Sequence, residues 1–263
     1  MRLKSLSIAA IGALMAVAVV VQPVMAAGVT VVTPTDTQGW STADTRPGGD
    51  VNFVTDSTAP GNGALQLTTD STTTSKAQYM HEADLDLSAV TELSYSSKTI
   101  AGPVHAAPSY QLAVDLNGDA TGGFTTFVYE PYENGAPTVT KNTWINWDVD
   151  SGRFWSSRTV TDGTCDVVAG AGGAPFYTLT DLQANCPDAV VVEFGVNIGS
   201  NNPSYDVYTD LVSINGEAYD FEAQSYKDQC KNGGWETLNG GYKNQGQCVA
   251  AAVSGDNSRL NRE

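Results

Sequence analysis

Tyr110-Gln111-Leu112-Ala113-Val114-Asp115-Leu116-Asn117-Gly118, followed by Phe124-Thr125-Thr126-Phe127-Val128-Tyr129-Glu130, is the stretch that decides the fold class. Two runs rich in aliphatic, aromatic and β-branched residues flank an Asn-Gly step. That pattern predicts an antiparallel hairpin, because both turn residues accept the positive φ of a type I′ turn. The separation of the runs allows a loop longer than two residues.

The same pattern recurs outward along the chain. Leu65 and Leu67 alternate with Ala64, Gln66 and Thr68, the period of a half-buried strand. Residues 143–149 place Ile145, Trp147 and Val149 on one face and Trp144, Asn146 and Asp148 on the other. Residues 190–198 and 206–214 read as strong strands, and 29–32, 51–54, 78–82, 93–98 and 219–222 as shorter ones. The polar segment 84–88 is either a separator between strands or one helical turn. Gly, Pro and Asn punctuate these runs, and helix signals are scarce. The expected fold is all-β, an antiparallel β-sandwich or jelly roll.

Three segments are expected. Arg2 and Lys4 precede an apolar run at 8–21 that closes on Val24-Met25-Ala26, the order of a secretory signal peptide, so residues 1–27 would be removed on export. Residues 28–223 form the sandwich, and 224–263 form a small cysteine-bounded module with a flexible tail. The apolar run is shorter than the roughly 20 residues that span a bilayer, so no transmembrane anchor remains after cleavage. The protein is expected to be secreted.

The chain of 263 residues carries 29 acids against 13 bases, a net charge of -16. Cleavage would remove Arg2 and Lys4 and no acid, leaving -18. Such a surface repels phosphate backbones, which excludes nucleic acid as a natural partner. Cys165, Cys186, Cys230 and Cys248 make an even set that permits three disulfide pairings in an oxidising compartment. Proximity favours Cys165 with Cys186 and Cys230 with Cys248. No CxxC or HxxxH spacing supports zinc.

Sugar recognition needs flat aromatic faces to stack on pyranose rings and amides or carboxylates to hold hydroxyls. The candidates are Trp144, Trp155, Tyr129 and Tyr132, with Asn146, Glu130 and Asp148 as polar partners. Trp144 leads, because alternation sets it opposite the apolar Ile145, Trp147 and Val149. A structural calcium is the second expectation. Asp115, Asn117 and Asp119 space three oxygen-bearing side chains as the start of a calcium loop does, although Ala120 replaces the expected Gly and no closing Glu follows. A hairpin turn accounts for the same residues.

No catalytic signature stands out. Glu130 and Glu193 lie on predicted strands and would suit a two-carboxylate glycosidase if they faced one cleft. Glu193 equally has the parity of a solvent-facing acid. His81 and His105 lie in no nucleophile motif and read as surface polar groups, and Gly-x-Ser-x-Gly is absent.

Several phrases resemble secreted jelly-roll modules of the carbohydrate-binding type: Gly39-Trp40, Gly61-Asn62-Gly63-Ala64-Leu65-Gln66-Leu67, and Tyr208-Thr209-Asp210-Leu211-Val212-Ser213-Ile214. Val128-Tyr129-Glu130-Pro131-Tyr132 and Trp144-Ile145-Asn146-Trp147-Asp148 are similar to exported bacterial proteins of this architecture whose function is poorly characterised. The resemblance covers most of 39–222 and implies a structural calcium near the terminal strands, with Asp210 as a ligand. The tail, from Lys227 through Cys230, Gly233-Gly234-Trp235 and Cys248 to Val249, is similar to a short module at the ends of exported bacterial proteins. That likeness implies a knot closed by Cys230 and Cys248 with the Trp235 indole packed on it.

The expected function is non-catalytic binding of a polysaccharide or surface glycan. An extracellular structural or protein-interaction module without sugar binding is the alternative, and a two-carboxylate glycoside hydrolase ranks below both.

Overall fold

The computed structural model describes residues 28–254 except 104, 106, 117–122, 137, 162, 171, 224–225, 237 and 239–240. The expected signal peptide, Asn117 and Asp119 therefore lie outside the described residues.

Two seven-stranded sheets build the body. Numbered along the chain, the first contains β1 (Gly28–Val32), β3 (Gly49–Thr55), β4 (Gly63–Thr69), β6 (Leu93–Ala101), β9 (Trp144–Asp148), β15 (Asp206–Ile214) and β16 (Glu217–Phe221). The second contains β2 (Trp40–Ser41), β5 (Ala77–Asp86), β7 (Ser109–Asp115), β8 (Phe124–Tyr129), β10 (Arg153–Ser156), β13 (Tyr177–Thr178) and β14 (Val190–Ile198), in the spatial order β13, β10, β8, β7, β14, β5, β2. A two-stranded ribbon of β11 (Val160–Thr161) and β12 (Asp166–Val167) stands apart. Pairing is antiparallel throughout the named strands except for β1 on β16.

The hairpin that opened the sequence reading is β7 and β8, in register from Tyr110 opposite Tyr129 to Asp115 opposite Phe124. Its alternation sends Tyr110, Leu112, Val114 and Phe127 wholly into the core, where Leu65, Leu67, Tyr95, Phe154 and Phe221 meet them from both sheets. Each such side chain contributes about 1.5–3 kcal/mol by leaving water. Across the same period, Ser109 and Gln111 fall on the outer face. Segment 84–88 divides between the two readings: β5 continues to Asp86, and Leu87–Ala89 form a single 3-10 turn.

Strand β15 holds the first sheet together. Its first half pairs with β4 and its second with β16, while β6 follows its other edge over the whole length. The fork sits at Leu211, whose φ of 48° bends the strand out of extended geometry. Asp210 secures the fork: its Oδ1 accepts the backbone N–H of Leu211 at 2.8 Å and of Phe221 at 2.9 Å.

Cys165 bonds Cys186 and Cys230 bonds Cys248, as proximity favoured. The first bridge ties the ribbon region to helix α1 (Leu179–Asn185). That helix was not read from the sequence, although Thr178 and Asp181 form a reciprocal capping box, with Thr178 Oγ1 accepting Asp181 N–H and Asp181 Oδ2 accepting Thr178 N–H. Beyond the sandwich lie α2 (Tyr226–Gln229) and α3 (Gln245–Ser254). There Cys230, Leu238, Tyr242 and Cys248 form a small separate core, and Trp235 packs on it as the tail likeness implied.

Candidate functional site

A cleft of about 580 Å³ opens on the outer face of the second sheet. Strand parity builds its floor. Trp155 of β10 alternates with buried Phe154 and stands opposite Val128, which in turn faces Gln111 of β7. Walls come from the 3-10 turn Pro131–Asn134, which carries Tyr132, from His105, and from the loop after β14, which brings Asn201 and Asn202.

Two aromatic surfaces border this space. The Trp155 ring is half-buried, and its Nε1–H donates to Glu130 Oε2 at 3.1 Å, which fixes the plane of the indole. Tyr132 is 52% exposed, its ring 5.4 Å from that of His105. Asn134 joins the two halves: its Oδ1 accepts Arg153 N–H at 2.7 Å, and its Nδ2 donates to the carbonyls of Glu130 and Arg153. The turn bearing Tyr132 is thus pinned to the strand bearing Trp155. Ser109 Oγ donates to the Asn197 carbonyl at 3.1 Å, and Gln111 Nε2 reaches Ser109 Oγ at 3.4 Å. Burial pushes the Glu130 carboxyl above its usual range; the Trp155 N–H partly offsets this and Glu133 reinforces it.

The expected site residues separate into three places. Tyr132, Trp155 and Glu130 meet in the cleft. Tyr129 does not join them; it is 4% exposed and packs on Phe154 in the core. Gly152 closes over it, where a Cβ would stand 2.4 Å from the ring. Burial pushes the Tyr129 hydroxyl up to about 12. This corrects its reading as a stacking face, for parity in β8 sends Tyr129 and Glu130 to opposite sides.

Trp144, Asn146 and Asp148 belong to the other sheet. They face outward as alternation predicted, but away from the cleft. Lys98 Nζ lies 5.9 Å from the Trp144 ring centroid and 5.8 Å from that of Tyr208. Asp56 pairs with that ammonium, the two side chains being 8% and 11% exposed. Burial alone would raise the Asp56 carboxyl, yet the Lys98 ammonium and Thr58 hold it below its usual range. Trp144 is therefore already engaged, and its Nε1 is buried without a partner. Asn146 accepts Ser96 Oγ–H at 2.7 Å, and both Asn146 and Asp148 line a shallow groove with Trp147, Asp150 and Ser213.

Glu193 does not line the cleft with Glu130. A register shift between Val191 and Glu193 sets Glu193 beside Glu82 of β5, nearer the start of β14, whereas the cleft residues Asn197 and Ile198 lie at its end. His81 is no ordinary surface group: its ring lies within 5.5 Å of those of Trp40, Phe194 and Tyr219, and its Nε2 meets the Gln38 carbonyl at 2.9 Å. Sequence reading missed Ser109, Gln111, His105 and Asn197 as cleft residues. The alternation that buried Leu112 and Val196 already set Ser109, Gln111 and Asn197 outward; their convergence depends on β7 lying between β8 and β14.

Asp115 is buried at the end of β7. Asp210 is wholly buried beside Asp220 and Glu222; burial, then the neighbouring acids, push its carboxyl well up, and backbone N–H bonds offset this only in part. Asp210 Oδ2 and Glu222 Oε1 are buried without hydrogen-bond partners, the kind of oxygen a cation would complete. Among the described residues no group of three or more His, Cys, Asp or Glu is arranged to hold a metal ion. Nor is any described helix long and apolar enough to cross a membrane.

No protein-family model matches this chain, and no protein of curated function matches it. Solved structures do. The chain is similar to the family 11 carbohydrate-binding module of a cellulosomal cellulase of Clostridium thermocellum, with 16% identity over 67% of this chain and 86% of that one, at a TM-score of 0.40. The family 11 module of Clostridium thermocellum in complex with a β-1,3-1,4-mixed-linked tetrasaccharide matches at 14% identity over 71% and 91% of the two chains, with a TM-score of 0.37. An endo-β-1,4-glucuronan lyase from the fungus Trichoderma reesei matches at 15% identity over 65% and 89%, with a TM-score of 0.36. These neighbours are two carbohydrate-binding modules and a polysaccharide lyase.

Proposed function

We propose that this protein is an exported, non-catalytic binding module that holds a polysaccharide or surface glycan in the cleft of the second sheet. One observation carries this reading: the Trp155 and Tyr132 rings border the same polar cleft as Gln111, Ser109 and the Asn201–Asn202 loop. Stacking on the rings supplies affinity, and amides and hydroxyls set orientation. The volume lies within the roughly 300–1,000 Å³ of small-molecule sites. Two disulfides and the basic-apolar N-terminal pattern support export.

A glycan array followed by calorimetry on the best ligand tests the assignment. Binding by the full chain that is lost in Trp155→Ala is expected. Absence of binding across neutral, acidic and basic glycans would leave an extracellular structural or interaction module without sugar binding.

Calcium is proposed separately, as a structural ion held by Asp210 Oδ2 and Glu222 Oε1. It would offset the charge of acids that otherwise need protons to remain buried. Calcium should then raise the melting temperature and a chelator lower it; identical melts would dismiss the ion.

A further inference from the structure

The charges around the cleft are one-sided. Glu130 and Glu133 line it, and among the described residues no Lys or Arg does. Arg153 lies on its flank but is engaged: its guanidinium stacks 4.6 Å from the Phe176 ring centroid and its Nη2 donates to the Glu133 carbonyl at 2.6 Å. The Glu130 carboxylate rests against the Trp155 indole edge and is near enough to Tyr205 to raise that hydroxyl further beyond the effect of burial. A carboxylate, two aromatic rings and no resident cation are the components with which proteins hold an ammonium group. From this juxtaposition we infer that the glycan taken by the cleft carries free amines, a glucosamine-type polymer rather than a neutral or uronic-acid chain.

This inference rests on the glycan-binding reading and narrows it. The sugar ring stacks on Trp155 or Tyr132 while its ammonium meets Glu130, with Glu133 adding attraction at the rim. Desolvation disfavours the Glu130 carboxylate, and an ammonium beside it would offset that cost. An acidic chain meets the opposite field, since its carboxylates approach two others with no Lys or Arg among the described lining residues. His105 is the lining group that would work against an amine, because its protonated form repels one.

Calorimetry with the full chain distinguishes the outcomes. The probes are a glucosamine oligosaccharide, its N-acetylated counterpart of equal length, a cello-oligosaccharide and an oligogalacturonate. The glucosamine oligomer should bind about tenfold more tightly than the acetylated one at low salt, and the advantage should shrink as salt rises. Glu130→Gln should reduce that ratio. Glu133→Gln provides a second reading should the buried substitution unfold the chain. Equal or tighter binding of the acetylated, cello- or galacturonate oligomer would overturn the inference while leaving glycan binding intact. Failure of all four to bind would overturn it, and a glycan array without binding would then overturn the reading on which it rests.

Discussion

Trp155 and Trp144 are half-buried tryptophans that project from opposite outer faces of one sandwich, and they stand in different company. Trp155 donates its N–H to Glu130 and borders a cleft. Trp144 leaves its N–H unpartnered and lies against the ammonium of Lys98, which Tyr208 and Asp56 also hold. An outward-pointing ring is a ligand platform only where the protein has not already occupied it. The face of Trp144 is committed to stability, and the face of Trp155 is available for recognition.

The largest expected effect bears on the Trp144 side. Asp56→Ala leaves Lys98 buried without its counter-ion, which costs about 3–5 kcal/mol for a buried pair. Denaturant unfolding should show that loss, while calorimetry should find glycan affinity unchanged; a parallel fall in affinity would join the two faces that the structure separates. Trp155→Ala is the reciprocal test. It should weaken glycan binding by about 2 kcal/mol or more, as central aromatic anchors do. Trp144→Ala should leave binding unaltered and lower only the melting temperature, and the reverse assignment of the two effects would break the comparison.

Asn134→Ala should cost affinity by about 1–2 kcal/mol, since it removes three hydrogen bonds and frees the Tyr132 turn from β10. Tyr132→Ala should cost less, about 0.5–1.5 kcal/mol, because its ring is exposed and borders rather than floors the cleft. Titration calorimetry on both variants sets their order.

The fork of the first sheet supplies a pH dependence independent of either tryptophan. Burial, with Asp220 adding to it, lifts the Glu222 carboxyl to about 9, and burial raises Asp210 as well. Without calcium the folded state therefore retains protons that the unfolded chain releases in the ordinary carboxylate range. Stability from these groups is fully present below that range and falls as pH rises toward about 9. Melting temperatures measured in chelator upward from mildly acidic pH should decline, and Glu222→Gln should flatten the trend. A rise instead would show that these acids are ionised in the fold.

Much of this was legible in one dimension. Period-2 alternation at 110–115 and 64–68 and the near spacing of cysteine pairs are local signals, and each corresponds to a strand or bridge that formed. Outward parity was legible as well, for Trp144 does face away from the core. The site was harder to read. Val128-Tyr129-Glu130-Pro131-Tyr132 gathers three site-like residues in five positions, yet Tyr129 enters the core because adjacent side chains of a strand leave opposite faces. Helix α1 and its cap followed a local rule that the surrounding loop composition concealed.

By itself the sequence determined which side chains are driven from water, where the chain turns, and how acidic the whole is, since these follow from residue chemistry and short-range geometry. Only the tertiary structure decided that β7 lies between β8 and β14, that β9 joins the opposite sheet, and hence that Trp155 meets a cleft while Trp144 meets Lys98. Alternation states whether a residue points in or out. Which sheet it points out from, and what awaits it there, depends on pairing between strands far apart in the chain.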